Sequence, residues 1–133
     1  MYIELYLKKV YTVAYWLTGE EEIAEEIAEL AITNTAKQLD KDYKVTASLL
    51  QLTVLELLKI FLKMPKSYCN DNLKGIEKAL LKLKPLNRAV VIWKDVLGYQ
   101  ISCNIPVSDC THEELVKELV YGRRELKEYM KNN

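Results

Sequence analysis

The residues of this sequence that could do chemistry are three cysteines and one histidine. Cys103, Cys110 and His112 lie close together in the chain, and Cys69 could supply a fourth zinc ligand. Structural zinc sites prefer closely spaced ligand pairs, and this spacing does not provide two of them. The sequence also has no glycine-rich phosphate loop and no nucleophile beside a base and an orienting group. We therefore expect no metal, no cofactor and no enzyme activity, with the cysteines as free thiols.

A second group of residues, near the C-terminus, could bind a partner instead of reacting with it. Its members are Lys117, Tyr121, Arg123 and Arg124. They could contact DNA, with the cations on phosphates and an arginine on guanine. The alternative is a solvated helix face on which glutamates pair with these cations. The chain has 19 basic and 19 acidic residues, so no overall positive field favours DNA.

An acidic run from Glu20 to Glu29 offers a second binding surface. Glu25, Glu26 and Glu29 could dock on a basic patch of a large partner. The alternative is again a solvated helix face, because charge runs of this kind are usually exposed to water.

The basic residues lie on a predicted C-terminal helix that begins at Thr111. Thr111 and Glu114 form a capping-box pattern, which is typical of a helix start. Apolar or small residues recur along this helix at spacings of four, three, four and three, which predicts one packed face. They are Leu115, Leu119, Gly122, Leu126 and Tyr129.

Two helices are predicted before it, one from 73 to 83 with Ile76, Leu80 and Leu83 inward, and one from 86 to 97. Pro85 separates them and Gly98 ends the second, as a C-terminal glycine commonly does. Pro106 forbids a continuous helix through the segment that follows, where we expect a helical turn at 99–104 and then a loop. The arrangement predicts a helix-turn-helix unit.

Three more helices are predicted in the N-terminal half, over 2–17, 20–39 and 46–64. The first has an apolar stripe of Ile3, Leu7, Val10, Ala14 and Leu17. The second has one apolar face, Ile23, Ile27, Leu30 and Ala31, and one small-residue stripe, Ala24, Ala28, Ala31 and Thr35. The third is apolar nearly all round from Leu49 to Leu62, which is typical of a helix central in a bundle or covered by a partner, such as a second copy.

The polar segment 66–72 has the composition of a linker between domains. We therefore predict an all-α protein of about six helices in two small units, 1–66 and 73–133, with the linker at 67–72. The longest apolar run, Ala47 to Leu62, carries Glu56 and Lys59 and is shorter than the roughly 20 residues of a membrane span. No signal-peptide pattern follows Met1, so a cytoplasmic protein is expected.

Gly19 ends the first predicted helix, and an acidic and aliphatic pattern runs from Ala24 to Ile32 in the second. A further pattern in the C-terminal half consists of Ala79, Leu80, Leu83, Pro85, Arg88, Val90, Val91, Gly98, Arg123 and Leu126. These two parts of the sequence resemble the bacterial RNA polymerase sigma factors of the extracytoplasmic-function type. The similarity follows the domain order of that family over most of the chain.

The resemblance implies a transcription regulator that binds RNA polymerase core through Glu25, Glu26 and Glu29, and promoter DNA through the last helix. An anti-sigma or co-sigma protein is a further implied partner. In that family the third helix carries Asn, Arg and nearby aromatic residues that capture unstacked bases; here the Asn and Arg are absent, and only Tyr43 and Phe61 are aromatic nearby. The alternative is therefore a sigma-like adaptor that acts only through protein contacts. A third possibility is a purely structural helical bundle.

Overall fold

The structure is a computed structural model that describes residues 1–38, 45–65, 73–101 and 110–131. Within these ranges the chain forms six α-helices and no strand, which confirms the predicted all-α class. The helices are α1 (Ile3–Thr18), α2 (Glu21–Thr35), α3 (Ala47–Lys63), α4 (Ile76–Lys82), α5 (Pro85–Val91) and α6 (His112–Lys131). A 3₁₀ turn, Ala36–Gln38, follows α2, and a π-helical turn, Ile92–Val96, follows α5. No helix of this described part is long and apolar enough to cross a membrane.

The helices belong to two compact units, Met1–Pro65 and Lys66–Asn133. The first contains α1 to α3, and the second contains α4 to α6. The predicted linker, 67–72, lies outside the described residues.

The ends of the helices in the first unit follow from local chemistry. Gly19 ends α1 in the left-handed conformation, with a φ of 72°, and its N–H donates to the carbonyl of Tyr15. A residue with a side chain adopts this conformation only at a steric cost. Thr46 caps α3, because its hydroxyl accepts the N–H of Leu49 at 3.1 Å. Pro65 follows the end of α3 and cannot donate a further helical hydrogen bond.

In the first unit the three helices pack against one another. The small-residue stripe of α2 is buried, and short side chains of this kind let helices approach closely. Helix α3 contacts both α1 and α2, so much of its apolar surface lies in the core. Its buried residues are Leu49, Leu50, Thr53, Val54, Leu57, Leu58 and Phe61.

The predicted apolar stripe of α1 is wrong over its first two turns. Ile3 and Leu7 are exposed, and Tyr6 is buried in their place. The reason is a hydrogen bond that periodicity does not reveal: Tyr6 Oη lies 2.6 Å from Thr53 Oγ1 of α3. In α2, Leu30 was also predicted to be inward, yet it is 48% exposed because the small-residue stripe occupies the packed side.

A chain of three buried hydroxyls crosses the core of the first unit. Tyr6 Oη lies 2.6 Å from Thr53 Oγ1, which also lies 3.0 Å from Thr35 Oγ1 and 2.8 Å from the carbonyl oxygen of Leu49. Thr35 in turn donates to the carbonyl of Ala31 at 2.9 Å. Each hydroxyl therefore has a partner, which removes the cost of burying it.

In the second unit, α6 packs against α4 and α5. Leu115, Leu119 and Gly122 are buried, and Leu126 and Tyr129 are half-buried, so the predicted packed face of α6 is confirmed. The helix begins as predicted, because the N–H of Glu114 donates to Thr111 Oγ1 at 3.2 Å. Gly122 is the point of closest approach, since a Cβ there would lie 2.7 Å from Cγ2 of Val91.

Arg88 of α5 is buried and joins α5 to the end of α4. Its Nε donates to the carbonyl of Leu80 at 2.8 Å, and its Nη2 donates to Leu81 and Leu83, each at 2.9 Å. These carbonyls lie at the C-terminal end of α4, where that of Leu80 also accepts the N–H of Leu83 at 3.1 Å. The role of Arg88 in this structure is thus to hold two short helices together.

Several predicted helix limits need correction. The helix predicted at 73–83 begins at Ile76, which is 49% exposed, while Leu73 is buried ahead of it. The helix predicted at 86–97 is α-helical only to Val91 and continues as the π-helical turn, with Gly98 at a φ of 75° beyond it. The α-helical part of α2 ends at Thr35, and its predicted limit at 39 lies outside the described residues.

The predicted turn at 99–104 falls only in part on described residues. Residues 99–101 are not helical, and 102–109 lie outside the described ranges. The turn of the predicted helix-turn-helix falls there, so that motif stays a prediction.

Candidate nucleic-acid interface and partner surface

The four residues predicted to contact DNA are all exposed on α6. Lys117, Tyr121 and Arg124 lie opposite the buried Leu115 and Leu119, whereas Arg123 is one turn from Leu119, at the edge of the packed face. We call these four residues the basic surface. The packing of α6 on α4 and α5 holds this side of the helix toward solvent.

The charges of α6 are sorted around the helix. One row along the helix contains three exposed basic residues, Lys117, Arg124 and Lys131. Each is seven residues, or about two helical turns, from the next. Glu118 and Glu125 are half-buried at the edge of the packed face. Glu113, Glu114 and Glu128 are the exposed acidic residues of the helix, against five exposed basic ones. The exposed side of α6 therefore carries a small excess of positive charge.

Glu118 is held at that edge by α5. Asn87 is buried in α5, and its Nδ2 donates to the carbonyl of Glu118 at 3.0 Å and also to the Glu118 carboxylate. This bond directs one acidic side chain of α6 away from the basic surface. The sequence gives no sign of this bond, because 31 residues separate Asn87 from Glu118.

Arg123 differs from the other cations because it is paired. Its Nε donates to Oδ2 of Asp95 at 2.8 Å, and its Nη2 donates to Oδ1 at 2.5 Å. The hydrogen bond with Asp95 raises the pKa of Arg123 above its usual value. Asp95 lies in the π-helical turn and gave no signal in the sequence, because 28 residues separate it from Arg123.

Lys117 and Arg124 have no ion-pair partner among the described residues. Tyr121 is 52% exposed, and its ring is available for stacking or for a hydrogen bond. Two apolar side chains, Val116 and Val120, are exposed beside them. The basic surface thus combines two unpaired cations, the paired Arg123 and one aromatic ring, and a short apolar stripe lies beside it.

The residues predicted to contact a protein partner also share one side of a helix. Glu25, Glu26 and Glu29 of α2 are all exposed, while Ala24 and Ala28 between them are buried. We call these three residues the acidic surface. None of the three carboxylates has an ion-pair partner in the part of the chain that the structure describes.

Two tyrosines of α1 lie beside the start of α2. The rings of Tyr11 and Tyr15 stack with their centroids 6.4 Å apart. Burial raises the pKa of Tyr11, and the charges of Glu21 and Glu25 raise it further. The aromatic pair is therefore close to one end of the acidic surface, a proximity that only the pairing of α1 with α2 reveals.

The possible metal ligands do not form a cluster in the described ranges. No group of three or more His, Cys, Asp or Glu side chains that could hold a metal ion occurs there. Cys110 is a half-buried free thiol and His112 is exposed. Cys69 and Cys103 lie outside the described residues.

Comparison with known proteins adds no identification. The chain matches no family model, no curated protein and no solved structure.

Proposed function

We propose that this chain is a sigma-factor-like transcription regulator that binds RNA polymerase core through the acidic surface and promoter DNA through the basic surface. It acts by binding and positioning, without chemistry of its own, and works in the cytoplasm. The resemblance in the sequence supports this assignment, and the six-helix, two-unit architecture is compatible with it.

The observation that carries the DNA part of the proposal is the sorting of charge on α6. Free cations at Lys117 and Arg124 share the exposed side, while Glu118 is drawn toward Asn87. Cations in one row can follow a phosphate backbone, and an exposed helix of this kind suits the major groove. Tyr121 lies within the same surface and can donate a hydrogen bond to a phosphate.

The alternative is an adaptor that acts only through protein contacts, and one observation favours it. Arg123 is neutralised by Asp95, and Val116 and Val120 are exposed beside it. An apolar stripe beside a partly neutralised surface suits a protein partner better than a phosphate backbone. Under this alternative, α6 contacts polymerase or another sigma subunit, and DNA binding is absent.

Equilibrium binding to purified RNA polymerase core, followed by addition of a promoter-DNA pool, tests both parts. We expect Glu25→Lys/Glu29→Lys to abolish core binding, because it reverses two charges of the acidic surface. Glu4→Lys/Glu77→Lys is the matched control, since it reverses two charges at residues that lie on neither α2 nor α6.

In the DNA step we expect Lys117→Ala/Arg124→Ala to lower retention at least tenfold, because two phosphate contacts are lost. Lys8→Ala/Lys9→Ala is the control, since it removes the same charge from exposed positions of α1. Core binding without DNA retention by the wild-type protein would establish the adaptor. No core binding would contradict both readings and leave a helical bundle of other function.

A further inference from the structure

The ion pair between Asp95 and Arg123 uses only one edge of the guanidinium. The two donors that reach Asp95 are Nε and Nη2, at 2.8 and 2.5 Å from the two carboxylate oxygens. A guanidinium has five N–H donors in a fixed planar fork. Two of these five point at Asp95, so three remain, two on Nη1 and one on Nη2.

The three remaining donors form the outer end of the side chain. This end is a second edge that can hold two acceptor oxygens or nitrogens side by side, which is the geometry of a phosphate or of guanine O6 and N7. The Arg123 side chain is 48% exposed although it is paired, so its outer end is accessible. The Asp95 side chain is 34% exposed, and α5 and its π-helical turn anchor it to the core through the buried Ile92 and Trp93.

We propose that Asp95 is a positioning residue that fixes the guanidinium of Arg123 so that its outer edge meets a paired acceptor of duplex DNA. The inference rests on the proposed function, because it assumes that α6 binds DNA. It explains how a neutralised arginine can still belong to the basic surface. The ion pair already restricts the rotamers of Arg123 in the free protein. Less side-chain conformational entropy is therefore lost when Arg123 contacts DNA.

Two effects of Asp95 on DNA binding oppose each other. Its negative charge repels phosphates, so removing that charge alone strengthens binding. Its orientation of Arg123 favours binding, so removing that constraint weakens it. Because both groups are exposed to water, the repulsion is screened, and we expect the orientation to dominate.

A double-mutant cycle on the full chain separates these effects. The probe is a fluorescently labelled duplex pool of randomised sequence, and the readout is the dissociation constant. We expect Asp95→Ala to weaken binding about fivefold when Arg123 is present, and to leave binding equal or stronger in the Arg123→Ala background. A change of sign between the two backgrounds is the signature of positioning, because a purely structural or electrostatic role acts in the same direction in both.

Two further variants make the test independent of folding defects. Asp95→Asn keeps the size of the side chain and one acceptor oxygen. Its dissociation constant for DNA should therefore lie between those of the wild type and Asp95→Ala. Arg123→Lys keeps the charge but cannot form the two-pronged contact, so it should bind more weakly and lose its dependence on Asp95. Thermal unfolding of each variant checks that α6 stays packed.

The outcomes distinguish this inference from the proposed function. Stronger binding by Asp95→Ala in the presence of Arg123 overturns the inference alone, because Asp95 then only competes with DNA. Absence of DNA binding by the wild-type chain overturns both. A loss confined to sequences with one guanine position assigns the outer edge to guanine, and a uniform loss assigns it to phosphate.

Discussion

Single side chains in this protein decide packing through hydrogen bonds that cross between helices. Tyr6, Thr35 and Thr53 come from three different helices and share a chain of hydroxyl contacts in the core of the first unit. Arg88 serves a similar purpose in the second unit by reaching three carbonyls at the end of α4. Tyr6 and Arg88 are buried with hydrogen-bond partners from another helix or its end, and the two threonines also bond to carbonyls of their own helices.

Thr53→Val tests the hydroxyl chain at the residue scale. Valine has nearly the shape of threonine, but it offers Tyr6 no acceptor, and the buried phenol then lacks its partner. We expect the free energy of unfolding to fall by about 1–3 kcal/mol. Urea unfolding followed by circular dichroism measures it.

Thr33→Val is the control for that substitution, because Thr33 is exposed on α2. It should change stability by no more than a few tenths of a kcal/mol. An equal loss for the two variants would show that the hydroxyl chain contributes nothing specific.

At the scale of the element, α6 is positioned by one close crossing and by the polar contacts around it. Gly122 lets the helix approach Val91 and Asn87 of α5. Asn87 then bonds to Glu118, and Asp95 bonds to Arg123. The orientation of the basic surface thus depends on a glycine on the opposite side of the same helix.

Gly122→Ala tests this crossing. Alanine favours the helix by about 1 kcal/mol, but its Cβ would lie 2.7 Å from a buried methyl of Val91, and overpacking costs about 1–3 kcal/mol. We expect a net loss of about 1 kcal/mol in the free energy of unfolding, measured in urea.

The second variant in that test is Gly122→Ala/Val91→Ala. Removing the clashing methyl should make the two substitutions non-additive, so that Val91→Ala costs less stability in the Gly122→Ala background than in the wild type. A stabilised single variant would show that α5 and α6 are not closely packed at this point.

At the scale of the whole molecule, the chain has a net charge of zero but carries two surfaces of opposite charge. The acidic surface belongs to the first unit, and the basic surface belongs to the second. Under the proposed function, this separation would let one chain bind both a basic protein surface and a nucleic acid. The positive excess on α6 is small, so the proposed DNA binding would depend on a few local contacts and not on a long-range field.

The salt dependence of DNA binding tests that picture. The row of Lys117, Arg124 and Lys131, with Lys127 beside it, can neutralise up to about four phosphates. The slope of log affinity against log salt concentration should then reach about −3.6. Fluorescence anisotropy at several salt concentrations measures it. A slope near zero would contradict phosphate binding by α6, and a much steeper one would require cations outside this helix.

The sequence predicted much of the architecture because its signals are local. Periodicity identified the packed face of α6 and the small-residue stripe of α2, and Thr111 and Gly19 marked helix ends by the hydrogen bonds and φ values they allow. Exposure of the acidic surface and of the basic surface followed from the same periodicity. These properties depend on neighbours within about one or two helical turns, which the sequence contains directly.

Other features were decided only by the tertiary structure. Periodicity placed Ile3, Leu7 and Ile76 in the core, but all three are exposed, and at the start of α1 it is Tyr6 that packs against α3. The pairing of Arg123 with Asp95 depends on where α5 and α6 meet, 28 residues apart in the chain. Contacts of this kind are set by the packing of one helix on another, so the pattern within a single helix cannot encode them. The sequence by itself determined the helices and their charged surfaces, and the tertiary structure decided which of those charges remain free to bind.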